Sequence, residues 1–99
     1  MKHKISSLEG ALLDAAVAKA ETGDSQVPGT FRPSTEWNDG GPIIERERIS
    51  IVHGGMGDWH AFMGDPQEGV AGDGEGLSPL IAAMRAYVAS KFGDKVELP

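Results

Sequence analysis

Three observations predict an α+β fold. Two capped helical segments stand toward the ends of the chain, short β-prone runs lie between them, and the connections are rich in glycine and proline. The expected architecture packs two helices, about residues 6–22 and 78–92, on one face of a small antiparallel sheet containing a hairpin over about residues 48–63. Ninety-nine residues hold one core, so residues 1–99 are expected to form a single domain. A chain of this mass buries roughly 64% of its unfolded surface.

The elements follow in order. "KHKI" (Lys2–Ile5) is short enough to serve as an edge strand. Ser6 and Glu9 then have the spacing of a reciprocal capping box, and Leu8, Leu12, Ala15, Ala16, Val17 and Ala20 recur at helical steps. Gly23 stands where a left-handed terminating residue belongs. "TGDSQVPGTFRPS" (Thr22–Ser34) has no periodicity and reads as loop, with Phe31 plugging the core. "RISIV" and "WHAFM", on either side of "HGGMGD", predict the hairpin. "GDPQEGVAGDGEG" (Gly64–Gly76), five glycines in thirteen residues, reads as turn and loop. Ser78, Pro79 and Gly93 punctuate the second helix, whose stripe is Leu80, Ile81, Met84, Tyr87, Val88 and Phe92. "KVELP" (Lys95–Pro99) alternates like a terminal edge strand.

"WNDGGPIIERERISI" (Trp37–Ile51) resists a simple reading. If Ile49 and Ile51 face the core, an unbroken strand carries Glu45 and Glu47 inward with them. An unpaired buried carboxylate costs several kcal/mol, comparable to the whole stability of a small domain. A turn built on Gly-Gly-Pro with the strand starting near Arg48, a bulge near Glu47, inward charges protecting an edge, or a ligand site would each resolve the conflict.

Charge and composition exclude several functions. A net charge of −6, without clustered cations, argues against nucleic-acid binding. The absence of cysteine removes disulfides and thiolate chemistry. The apolar stretch Ala11–Ala18 is too short to cross a bilayer, and the N-terminal segment lacks a signal-peptide hydrophobic region. A cytoplasmic protein with no membrane association is expected.

His53, Asp58 and His60 are ligand types, but the histidines flank a loop rather than share a rigid turn, so no resident metal is expected. "AGDGEG" (Ala71–Gly76) lacks the ligand order of an EF-hand, and "HGGMGD" opens a strand rather than a helix, which weakens it as a phosphate cradle. No cofactor is expected. Arg85 borders the apolar stripe of the second helix. Its fork is expected to pair with Glu45 or Glu47, or else to join Arg46 and the face of Trp37 in a pocket for an anionic ligand. Trp37 and Trp59 each have a simpler reading as core plugs.

Taken together, "TEWNDGGPIIERERIS", "SPLIAAMRAYVASKFGDKVELP" and "LEGALLDAAVAKAE" resemble the NinX-like family of small phage and prophage proteins, a domain family of unknown function. The likeness covers nearly the whole chain except the loops around Gly23–Thr30 and Asp65–Glu75. Where many relatives carry an aromatic after the aspartate of the first helix, this chain has Ala15, which softens any stacking role there. The resemblance implies phage or prophage origin inside a bacterial host and an accessory role; it supplies no reaction and no catalytic residue.

The expected function is therefore non-enzymatic. Trp37, Asp39, Glu45, Arg46 and Glu47, with Arg85, form the candidate surface for a host protein or a small anionic ligand. The alternative is a small enzyme on a nucleotide-like or other anionic substrate, with Glu45 or Glu47 as general base and Arg85 stabilising charge. A helper acting by self-association is a third class, and oligomeric state is left open.

Overall fold

The computed structural model describes residues 1–26, 29–65 and 69–99 of the chain. The readings of residues 27–28 and 66–68 as loop lie outside the described residues. The element order is β1 (Lys2–Lys4), a 3-10 turn (Ile5–Ser7), α1 (Gly10–Thr22), α2 (Trp37–Glu47), β2 (Ser50–His53), β3 (Trp59–Asp65), β4 (Gly69–Gly76), α3 (Pro79–Phe92) and β5 (Lys95–Glu97). The fold is α+β, with three α-helices among the described residues rather than two. β2, β3 and β4 form an antiparallel sheet in that order, and β1 pairs with β5 in a separate two-stranded sheet.

α3 is the organising element. The Ser78 side chain accepts the Ile81 amide at 3.1 Å, Pro79 takes the first helical position, and Gly93 closes the helix at φ 84°. Its Ala82, Ala83, Met84, Ala86, Tyr87 and Val88 are all buried. α3 lies across β3 and β4, while α1 and α2 pack against α3. One cluster joins Leu13, Ala16 and Val17 of α1 with Ile43 of α2, Ala61 and Met63 of β3, the α3 stripe, and Val96 of β5.

β4 and the end of β3 correct the loop reading of Gly64–Gly76 for its described residues. Gly72, Gly74 and Gly76 alternate, so all three face the same side of the strand, and that side is α3. A Cβ on Gly72 would stand 2.5 Å from the Ala86 carbonyl, and one on Gly74 2.5 Å from that of Ala82. The glycines are a channel for a helix backbone, not turn punctuation.

α2 resolves the conflict in Trp37–Ile51. The segment is helical through Glu47, so the parity of a strand never applies to Glu45 and Glu47. Gly40, Ile43, Ile44 and Glu47 recur at steps of three and four, and this is the face turned inward. Gly40 permits the close approach, since a Cβ there would meet the Pro33 carbonyl at 2.5 Å and Leu80 Cδ2 at 2.7 Å. Exposed Pro42 loses one intrahelical hydrogen bond on the solvent side. Asp39 accepts the Arg32 amide at 2.9 Å, and buried Asp14 of α1 accepts the Ser34 amide at 2.9 Å, which fixes the turn leading into α2. Arg48, left-handed at φ 54°, ends the helix, and β2 begins two residues later.

The start of α1 also differs from expectation. Ile5–Ser7 form a 3-10 turn, with Ser7 Oγ donating to the Lys4 carbonyl, and Glu9 is the N-cap without a side-chain bond, so the Ser6–Glu9 capping box does not form. Leu12 is 45% exposed and Leu13, Ala16 and Val17 form the buried stripe instead. Gly23 terminates α1 at φ 84° as expected. Phe31 is half-buried against the core.

Candidate functional site

The expected site residues divide between two regions. Trp37 opens α2 and is 54% exposed, so it is not a core plug, while Trp59 packs partly buried against the core. Asp39 is committed to the Arg32 amide. Glu45 is exposed. Arg46 donates to both Glu21 carboxylate oxygens, at 3.0 and 2.6 Å, and to Glu47 at 2.7 Å. Tyr87 Oη donates to the same Glu21 carboxylate and lies 3.3 Å from Arg46 Nη2.

This network ties α1, α2 and α3 together. The Arg46 hydrogen bonds hold the Glu21 carboxyl below the usual carboxylate range, against the opposing effect of burial. Burial, helped by the bond to Glu21, pushes the Tyr87 hydroxyl well above its ordinary value, and the Arg46 guanidinium is held firmly charged by Glu21 and Glu47. Arg46 is thus paired with two glutamates across α1 and α2.

Arg85 lies on another side of α3. Two residues along a helix are about 200° apart, so Arg85 and Tyr87 face nearly opposite directions. Arg85 does not pair with Glu45 or Glu47. Its Nε donates to the Leu8 carbonyl at 2.8 Å and its Nη1 to the Glu75 carbonyl at 2.6 Å. The pocket expected between Trp37, Arg46 and Arg85 is therefore not assembled, nor is a catalytic pairing of Glu45 or Glu47 with Arg85.

Arg85 instead stands in a groove of about 890 Å³ along β4. β4 is an edge strand of its sheet, so one row of its backbone groups has no strand partner. The α3 side of the groove is Ile81, Arg85 and Ala89, one helical row at steps of four; Ile5 and Ser6 also line it. Glu9, Asp58, Asp73, Glu75 and Asp94 are among the residues that line it, with Arg85, whose fork is held by backbone carbonyls. A second cavity, of about 340 Å³, is formed by residues near the chain ends with Lys19 and Gly23–Ser25, and neither cavity includes Glu45 or Glu47.

The sheet face away from α3 carries a second constellation. His60 and Glu75 are register partners across β3 and β4, and His60 Nε2 lies 3.1 Å from Glu75 Oε1 and 3.5 Å from Asp58 Oδ2. His53 is opposite Trp59 and packs against it, with ring centroids 4.6 Å apart and planes tilted by 52°, so the two histidines of the hairpin point to different faces. In the sequence Asp73 and Glu75 stand only as loop carboxylates without the ligand order of an EF-hand, not as residues of a strand. The signal that could have found them is the strict alternation of glycine in "AGDGEG", a strand pattern that places both carboxylates on one face.

No described helix is long and apolar enough to cross a membrane. No curated protein matches the chain. The model of a family described as "Bacteriophage P22, NinX" matches residues 23–91. That span covers more than half of the chain and includes α2, the hairpin, the groove strand and nearly all of α3, and on that ground the chain belongs to the phage NinX family.

Proposed function

We propose that this phage-family chain is a non-enzymatic accessory protein, working in the cytoplasm of a bacterial host, that holds an extended, basic segment of a partner protein. The observation that carries the reading is the groove between the free edge of β4 and the Ile81–Arg85–Ala89 row. A strand edge without a neighbouring strand beside a helix is the geometry of strand addition, in which main-chain hydrogen bonds supply affinity and alternate side chains supply specificity; here Arg85 holds the Glu75 carbonyl of β4. Five acidic residues among those lining the groove or its rim favour a cationic segment. The same charge disfavours edge-to-edge pairing of two copies, which would bring Asp73 and Glu75 of each together, and it disfavours a small anionic ligand.

The test is isothermal titration of the chain with a synthetic peptide alternating lysine and valine, followed by amide NMR. Binding is expected to shift β4 amides and to weaken with salt. Asp73→Lys with Glu9→Lys is expected to weaken binding about tenfold or more, as reversal of two facing charges requires. Shifts scattered away from β4, or an affinity that the double variant leaves unchanged, would overturn the reading.

Trp37 favours a second contact on α2, since a half-exposed tryptophan exceeds what the helix start needs. Its partner would be the host protein engaged by the groove. Trp37→Ala is expected to change stability by no more than about 0.5 kcal/mol in urea unfolding, as at other surface sites. Once the partner of the groove is in hand, the same variant should weaken that complex while leaving the isolated peptide's affinity unchanged.

A further inference from the structure

We propose that Asp58, His60 and Glu75 form a site for a divalent transition-metal cation, zinc being the ion their donors suit best. The site is independent of the groove reading, although Asp58 and Glu75 also border the groove.

The distances motivate it. One ligand atom from each of the three residues lies within 4.8 Å of the other two, and the separations from His60 Nε2 are 3.1 and 3.5 Å. Donors held about 2.1 Å from a cation stand roughly 3.0 Å apart when adjacent in an octahedron and roughly 3.4 Å apart in a tetrahedron. The two histidine–carboxylate separations fall on that spacing without rearrangement. The backbone sets two of the three positions, because His60 and Glu75 are directly opposed on one sheet face. Asp58 reaches them from the connecting turn, across Gly54, where a Cβ would stand 2.4 Å from Asp58 Oδ1.

Hydrogen bonding alone fits these three groups less well. Nε2 carries at most one proton, so it cannot serve two carboxylates fully. Even a charged imidazolium leaves the trio with a net negative charge, which a dication removes while using all three donors. The imidazole nitrogen favours zinc-like ions over calcium or magnesium, which prefer oxygen throughout. Three protein ligands leave further coordination positions open. The half-exposed His60 gives an ion direct access from solvent.

The experiment is calorimetric titration of the full chain with zinc chloride at neutral pH, with calcium chloride as a second arm. One equivalent of zinc is expected to bind. His60→Ala and Glu75→Gln are each expected to weaken it by at least about tenfold, since loss even of a ligand's supporting partner costs 10–100-fold. His53→Ala should leave it unchanged. Glu75→Gln keeps the side-chain shape, and far-UV circular dichroism of each variant verifies its fold. Absence of zinc binding, wild-type affinity in both His60→Ala and Glu75→Gln, or calcium binding as tight as zinc would each overturn the proposal. Peptide affinity surviving in His60→Ala would separate this site's fate from that of the groove.

Discussion

Gly74→Ala is expected to destabilise the protein by about 3 kcal/mol, the upper end for overpacking. The added methyl carbon would lie 2.5 Å from the Ala82 carbonyl oxygen, 2.6 Å from the Ala86 nitrogen and 2.8 Å from Arg85 Cβ. Two of these are backbone atoms, so no side-chain rotation relieves the contact; α3 must rise from β4 or the strand must bow. A domain of this size is stable by only about 5–15 kcal/mol, so the loss is a large share. Gly55→Ala is the matched control, with no atom within 4 Å of its new carbon and an expected change within about 0.5 kcal/mol. Urea midpoints of the two variants provide the check. Equal midpoints would mean that β4 does not carry α3 on its glycines. Because the groove lies between these same elements, Gly74→Ala should weaken peptide binding as well.

Arg46→Leu is expected to cost about 1–2 kcal/mol. The charged hydrogen bonds to Glu21 would be worth more if fully buried, but the Arg46 side chain is half-exposed and solvent screens it. The variant also changes the pH profile. Glu21 is held below its ordinary value mainly by Arg46, so as pH falls the unfolded chain takes up this proton first. The stabilisation is complete above the unfolded carboxyl value of about 4.3 and is lost as pH falls through the lower, folded value. Arg46→Leu should flatten that acid limb. Tyr87 has the opposite sign. Its raised value makes its contribution complete below about pH 10 and lost as pH rises through the folded value, so Tyr87→Phe should flatten the alkaline limb. Thermal melts across pH, with the wild-type slopes persisting in both variants, would show that the network does not act this way.

Local rules served well where the energy is local. The Ser78 cap, Pro79 and Gly93 are neighbours in sequence of the groups they satisfy, and α3 forms where they place it. The hairpin of β2 and β3 likewise follows from two β-prone runs and a glycine-rich connection. In α2, however, Gly-Gly-Pro speaks against a helix, and the charge conflict at Glu45 and Glu47 admits a turn, a bulge, a protected edge or a ligand site, none of them helical. Spacing at Gly40, Ile43, Ile44 and Glu47 held the helical answer, but the reason for Gly40 is Pro33 and Leu80, which lie elsewhere in the chain. β4 failed for the same reason, its glycines being set by the helix opposite.

The site divides in the same way. Arg85 was visible as a border residue, but its partners are carbonyl groups, and a carbonyl carries no sequence signature. From residue order alone came the α+β class, the acidic surface, the punctuation of α3, the hairpin and the family likeness. Folding in three dimensions decided the helical state of α2, the glycine channel of β4, the free edge beside Arg85 and the meeting of Asp58 and His60 with Glu75. The physical reason is range: capping and turn energies act between near neighbours, whereas close backbone approach and convergence of ligands depend on which distant segments are brought face to face.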